Sequence, residues 1–150
     1  MSGLVLEHAV DYEGILRAIS DLAPNLHNQD LNSEVALRSF ARKYSSCGCA
    51  VVATIEDETV GFCAYYANDI VTRRGYLSMI VVSRSVRGQG VGSRLMEAMI
   101  ADCKSKGMRS VCLEVADDNP VAIEFYLNRG FRKARRLSGT TCLYARGIEA

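Results

Sequence analysis

The sequence predicts an α/β fold in which a mixed sheet of six to seven strands carries about four helices on its two faces. Three observations predict it. Two β-rich runs, Cys49 to Ile55 and Thr59 to Ala67, are separated only by Glu56-Asp57-Glu58, the pattern of an antiparallel hairpin. A strong apolar run, Tyr76 to Val82, leads through a glycine-rich segment into a helical repeat and then another strand. Two strands joined by so long a crossover run parallel when they pair. Finally, segments of helical period lie both before and after these strands, which places helices on both faces.

Taken in order, Leu4 to His8 reads as a short strand. Tyr12 to Leu22 then places Ile15, Leu16, Ile19 and Leu22 at helical spacing, and the repeat stops near Pro24. Beyond the polar stretch Asn25 to Asn32, the residues Val35, Leu37, Phe40, Ala41 and Tyr44 predict a second helix, capped by Asn32 or Ser33 and ending near Ser45. After the hairpin, the nearly unbroken apolar run Tyr76 to Val82 predicts a strand buried on both faces at the sheet centre. The helix that opens at the glycines repeats Val91, Leu95 and Met99, flanked by Met96 and Cys103, until Gly107 ends it. Lys104 and Lys106 suit the negative end of its dipole. Ser110 to Val115 is the next strand. Asn119-Pro120 offers a cap and then the residue best tolerated at the first helical position, so a short helix runs to about Arg129. Gly130 ends it, and the strands Phe131 to Arg135 and Thr140 to Arg146 complete the sheet.

No Pro-rich linker, repeat or low-complexity tract divides the 150 residues, so residues 1–150 are read as one domain. The formal net charge is +1 with both signs interspersed, which provides no broad field for nucleic acid or an anionic membrane. No apolar stretch approaches the roughly 20 residues of a membrane helix, and Met1 to Val10 lacks an export pattern, so the expected location is cytoplasmic. Cys47-x-Cys49 is one residue short of the usual zinc spacing and no second Cys/His pair accompanies it. The six cysteines are therefore read as reduced thiols, mostly small core residues, and no metal is expected.

In Arg87-Gly88-Gln89-Gly90-Val91-Gly92, glycines alternate where a buried strand turns into a helix. Backbone N–H groups there face outward with no Cβ in the way of a ligand. The helix start contributes roughly half a positive charge, and Arg84, Arg87 and Arg94 add full charges nearby. The result is a local anion site that fits a pyrophosphate. A P-loop ends in Gly-Lys-Ser/Thr, whereas Gly92 is followed by Ser93-Arg94; the dinucleotide fingerprint needs glycine at its sixth position, which here is Ser93. ATP, GTP and NAD are thereby disfavoured.

Arg87-x-x-Gly90-x-Gly92 resembles the acetyl-CoA signature of the GNAT superfamily of N-acetyltransferases. Leu113-Glu114-Val115, Asn119-x-x-Ala122, Phe125-Tyr126 and Gly130-Phe131 resemble its second motif, in the same order, so that the resemblance covers roughly residues 76 to 131. It implies a GNAT-like fold with a splayed parallel strand pair, acetyl-CoA as acyl donor without a metal, and direct transfer to an amine in a ternary complex. Residue by residue, it implies that Arg87, Gly88, Gln89, Gly90, Val91, Gly92 and Ser93 hold the cofactor's diphosphate and Val82 its pantetheine amide. The N–H of Ile80 then faces the acetyl carbonyl, and Asn119 and Tyr126 also contact the cofactor. Tyr126 matches the family's tyrosine near the sulfur, with ordinary core packing as the alternative.

An alkylammonium, with a pKa of about 10.4, must lose a proton before nitrogen can attack. The carbonyl must be polarised and the departing thiolate needs a proton, so the site requires a base, an oxyanion donor and an acid. Tyr126 is the candidate acid. Glu114, near the carboxyl end of a predicted parallel strand, is the candidate base, as resemblance to ribosomal-protein N-terminal acetyltransferases implies; water chains to Asp69, Asp117 or Asp118 are the alternative. Tyr76 occupies the position where histone-acetylating members carry a glutamate, which weighs against a histone acceptor. His27, Tyr65, Tyr66, Tyr76 and Ser78 are the acceptor-side candidates, with core packing as the alternative for the tyrosines and a plain surface position for His27. The expected function is acetyl transfer to a primary amine of a small molecule. The alternatives are acetylation of a protein or peptide N-terminus or lysine, and a non-catalytic acyl-CoA sensor. The expected partner is the amine acceptor, with no nucleic acid and no membrane, and the chain is expected to be a monomer or homodimer.

Overall fold

The computed structural model describes residues 3–26 and 31–148. Among them seven strands form one sheet: β1 (Leu4–His8), β2 (Cys49–Ile55), β3 (Glu58–Tyr66), β4 (Arg74–Val82), β5 (Ser110–Ala116), β6 (Arg132–Arg136) and β7 (Thr141–Gly147). Their order is β1-β2-β3-β4-β5-β7-β6, antiparallel throughout except for the parallel pair β4–β5. The helices are α1 (Tyr12–Leu22), α2 (Glu34–Ser46), α3 (Val91–Ser105) and α4 (Pro120–Asn128). The mixed sheet with helices on both faces is the predicted architecture.

Polar caps set three of the helix starts. The side chain of Asp11 accepts from the Gly14 N–H at 2.7 Å, Ser33 from Ala36 at 3.1 Å and Asn119 from Ala122 at 3.3 Å. Each cap contributes about 1 kcal/mol, and the second helix is capped by Ser33 rather than Asn32. The β2–β3 turn is tighter than expected: Glu56 (φ 50°) and Asp57 (φ 66°) are both left-handed, and Glu58 already pairs with Ile55. A two-residue turn of this hand matches strand twist, so it draws Glu58 into the ladder.

Alternation along the strands sorts side chains onto two faces. Ala53, Cys63, Tyr65, Leu113 and Val115 pack beneath α3 and α4 with Leu95, Met96 and Met99, while Ala50, Phe62, Ala64 and Val81 pack beneath α1 and α2 with Ile15, Ile19 and Leu22. Burying each of the larger aliphatic side chains stabilises the fold by about 1.5–3 kcal/mol.

Two irregularities break the sheet at its middle. The β4–β5 ladder runs only through Arg74↔Ser110, Gly75↔Val111 and Tyr76↔Cys112, after which β4 stays with β3 and β5 with β7. The edge of β4 from Leu77 to Val82 that faces β5 is thus left without a strand partner. Within β4, Tyr65 pairs with Leu77 and Ala64 with Met79, so Ser78 is bulged out of the ladder. The expectation that this central strand is buried on both faces is corrected accordingly: Ser78 is exposed, and Ile80 and Val82 are half-buried, because the neighbour that would cover them diverges.

Candidate functional site

The three glycines of the loop have different causes. Gly88 (φ 80°) and Gly90 (φ 86°) adopt left-handed backbone, and a Cβ built on either meets nothing within 4 Å. Gly92 has ordinary φ, but a Cβ there would sit 3.1 Å from Cε1 of Phe125, so it permits α4 to close on α3. Gly90 caps α3 without a side chain, and the first intrahelical bond runs from the Arg94 N–H to the Gly90 carbonyl at 3.1 Å. The N–H groups of Val91, Gly92 and Ser93 precede that bond and have no helical acceptor. Gln89 is exposed at the crest, Val91 is buried under the loop, and Arg87 Nε donates to the Val82 carbonyl at 3.3 Å, tying the loop to the end of β4.

Arg129, at the end of α4, completes this region. Its guanidinium lies 3.7 Å over the ring of Phe125, Nη1 donates to the Phe125 carbonyl at 2.9 Å and Nη2 donates to Oγ of Ser93. Nε is buried without a hydrogen-bond partner, and desolvation lowers the guanidinium pKa from its ordinary value. A cation with no acid partner among the described residues, beside an open helix start and a glycine cradle, suits a polyanionic ligand such as a diphosphate. Among the described residues no group of three His, Cys, Asp or Glu side chains converges as metal ligands, and no helix is long and apolar enough to cross a membrane.

The gap between β4 and β5 has chemically distinct sides. On the α3/α4 face, Ile80 and Val82 pack against the core with Tyr126, whose ring meets Phe125 and Phe131 edge-on at 5.3 and 5.7 Å. Asn119 caps the helix that presents Tyr126. Burial first, and the nearby Cys63 second, raise the Tyr126 phenol well above its ordinary pKa, so it stays protonated. Its hydroxyl hydrogen-bonds to no described residue.

On the opposite face, Tyr76 Oη donates to Glu114 Oε2 at 2.7 Å. Glu114 is exposed between the buried Leu113 and Val115, so it points away from α4. Tyr66 pairs with Tyr76 across the β3–β4 ladder and lies 5.1 Å from the ring of Tyr44, which adjoins Ser78. The structure therefore brings Tyr66, Tyr76, Ser78 and Glu114 together. It does not bring Tyr65 there: that ring is fully buried on the α3 face, and its hydroxyl donates to Asp102 at 2.6 Å. His27 lies outside the described residues. Of the alternative carboxylates, Asp69 closes its own turn by accepting from Val71 and Thr72, and Asp117 pairs with Arg136 at 2.8 Å. Sequence reasoning missed Tyr44, Arg129 and the bulge at Ser78. The aromatic stripe Phe40/Tyr44 and the cation four residues after Phe125 were the available signals; a bulge leaves none.

Comparison with known proteins agrees with this geometry. The model of the acetyltransferase (GNAT) family matches residues 8–131. The chain is 33% identical over 88 residues to N-alpha-acetyltransferase 30 of Schizosaccharomyces pombe, a match covering 57% of this chain and 59% of that protein. It is 30% identical over 141 residues to the thialysine N-epsilon-acetyltransferase of Sus scrofa, covering 86% and 83%. Other curated relatives are matched over less of their length, 35% for the Arabidopsis thaliana N-alpha-acetyltransferase MAK3. The crystal structure of the paia N-acetyltransferase of Thermoplasma acidophilum in complex with coenzyme A shares the fold, with TM-score 0.71 over 95% of this chain and 99% of that one at 17% identity. The family takes acetyl-CoA as acyl donor. The chain belongs to the acetyltransferase (GNAT) family.

Proposed function

We propose that this protein transfers the acetyl group of acetyl-CoA directly to the primary amine of a small molecule. The observation that carries the reading is the placement of Tyr126 and the Tyr76–Glu114 pair on opposite faces of one open strand gap. Acetyl-CoA, when bound, supplies an activated thioester. In this reading the N–H groups of Gly88 to Ser93, with Arg87 and Arg129, hold its diphosphate, Asn119 adds a contact from the start of α4, and Val82 and Ile80 offer backbone along the free edge of β4. The ammonium first loses one proton to solvent, and Glu114 takes the second, which the nitrogen sheds as the C–N bond forms and it becomes acidic. Tyr76 holds that carboxylate in place by its hydrogen bond. Tyr126 gives its proton to the departing sulfur, and its burial keeps that proton available at neutral pH.

Support for a small acceptor comes from the thialysine enzyme, which matches over most of both chains. A peptide N-terminus is the second reading, favoured by the stretch 33% identical to N-alpha-acetyltransferase 30. Release of free coenzyme A thiol, followed with a panel of small amines and peptides, tests both. Turnover that depends on a small amine and collapses in Glu114→Gln and Tyr126→Phe is expected. Thiol release that ignores the amine, or selective use of peptides, overturns the proposal.

A further inference from the structure

The face that bears Glu114 is only half covered. α1 and α2 pack over β2, β3 and β4, whereas Glu114, Leu143 and Ala145 on β5 and β7 stay exposed or half-buried. This bare strip continues directly from the Tyr76–Glu114 pair.

Register places a cation at its far side. Glu114 pairs with Leu143, and Leu143 with Arg135, so the three project from the same face in one row across β5, β7 and β6. Two strand spacings separate the ends of the row, roughly 10 Å. The other cations of β6 are directed elsewhere. Arg132 donates to the carbonyls of Leu127 and Phe131 at 3.0 and 2.8 Å, and Arg136 pairs with Asp117. Lys133 stands opposite the buried Tyr144, on the other face, where its field reaches Asp117. Arg135 is exposed and forms no ion pair with a described residue. Across the site, Lys43 lies 5.7 Å over the ring of Tyr66, also without an acid partner among the described residues. Around the transfer point, Glu114 is thus flanked by cations whose charge no described carboxylate neutralises.

Resting on the small-amine reading above, we infer that the acceptor carries an anionic group, a carboxylate, which Arg135 holds while the amine lies at Glu114. The class is therefore an amine that also carries a carboxylate; an extended chain of five methylenes between the two groups spans roughly 8 Å at bond lengths of about 1.5 Å, within reach of the Arg135 and Glu114 side chains. Charge on an edge strand also deters strand pairing between molecules, but that role places no demand on the acceptor.

The test compares ε-aminocaproate with its amide, which differ in the carboxylate alone. Thiol release by the intact chain gives kcat/KM for each. The carboxylate is expected to outperform the amide by about fivefold, the upper range of an exposed ion pair, through KM, and the advantage fades at high ionic strength. Arg135→Lys keeps the order, Arg135→Gln brings the two acceptors together and Arg135→Glu inverts them, with circular dichroism confirming that each variant is folded. Equal use of acid and amide by the unaltered protein, or a preference that survives Arg135→Glu, overturns the inference and leaves the small-amine reading standing. Turnover of peptides without turnover of any aminoalkane overturns both.

Discussion

The hydroxyl of Tyr76 donates to Glu114 Oε2 across 2.7 Å, joining residues 38 apart in sequence at the last rung before the parallel strands separate. The bond orients the carboxylate proposed as base, so the two side chains form one unit. Glu114→Gln is expected to lower kcat by about 10²–10⁴, the usual range for a lost general base, and Tyr76→Phe by less. The double variant should resemble Glu114→Gln alone, because removing the oriented group leaves nothing to orient. Additive losses measured in steady-state kinetics contradict this coupling.

Tyr126 has a different signature. Its hydroxyl has no described protein partner, and the ring packs from α4 against the same core as Ile80 and Val82. Tyr126→Phe should lower kcat about a hundredfold or more, while calorimetric affinity for coenzyme A changes little. Because burial raises this phenol, its deprotonation contributes no loss of rate up to its ordinary pKa of about 10. A falling limb near neutral pH that vanishes in Tyr126→Phe is the contrary result.

The glycines separate backbone from packing. Alanine at Gly90 must adopt φ 86°, a left-handed strain costing about 1–2 kcal/mol, whereas alanine at Gly92 meets Phe125 at 3.1 Å. Gly90→Ala is expected to lower Tm by about 2–4 °C per kcal/mol for a chain of this size and to weaken coenzyme A. Gly92→Ala combined with Phe125→Leu should recover stability by making room, and no equivalent neighbour exists to rescue Gly90→Ala. Thermal melts with and without coenzyme A distinguish the two.

Arg129 separates phosphate from pantetheine. Arg129→Gln should weaken coenzyme A about tenfold, as loss of a charged hydrogen bond does, and affect acetyl-pantetheine, which lacks the diphosphate, far less. Equal weakening of both ligands, measured by calorimetry, means that Arg129 serves only to hold α4 against Ser93 and Phe125.

Asp102 supplies a pH-dependent contribution remote from the chemistry. Burial opposes its charge, but hydrogen bonds from Lys106 at 2.7 Å and Tyr65 at 2.6 Å outweigh that and lower the carboxyl pKa below its usual value. A depressed folded pKa stabilises the protein fully above the unfolded value of about 3.9, and this stability is lost as pH falls through the folded pKa. Asp102→Asn should therefore lower Tm at pH near 7 and approach the unaltered protein under strongly acidic conditions. A constant gap across the range contradicts the linkage.

Much of this molecule was legible in order along the chain. Helical period located α1 to α3, the Asn119-Pro120 pair located α4, the polar pair Asn32-Ser33 marked the start of α2, and the alternating glycines marked the turn that opens α3, because each of these signals lies within a few residues of backbone. The family motifs are likewise local, and they named Glu114, Asn119 and Tyr126. Composition also bounded the charge and ruled out a long apolar helix.

What remained belongs to residues far apart in sequence. Tyr65 and Tyr66 are adjacent and chemically alike, yet one is buried against Asp102 and the other lies on the opposite face beside Tyr44 and Tyr76. The bulge at Ser78, the divergence after Tyr76↔Cys112, the seating of Arg129 on Ser93 and the row from Glu114 to Arg135 all depend on how strands register and helices pack. Period and capping determine which segments are helix or strand, since they act over one or two turns. Which face a side chain joins, and where a sheet opens, is decided only when distant apolar surfaces are buried together and the ladder takes the register that buries them.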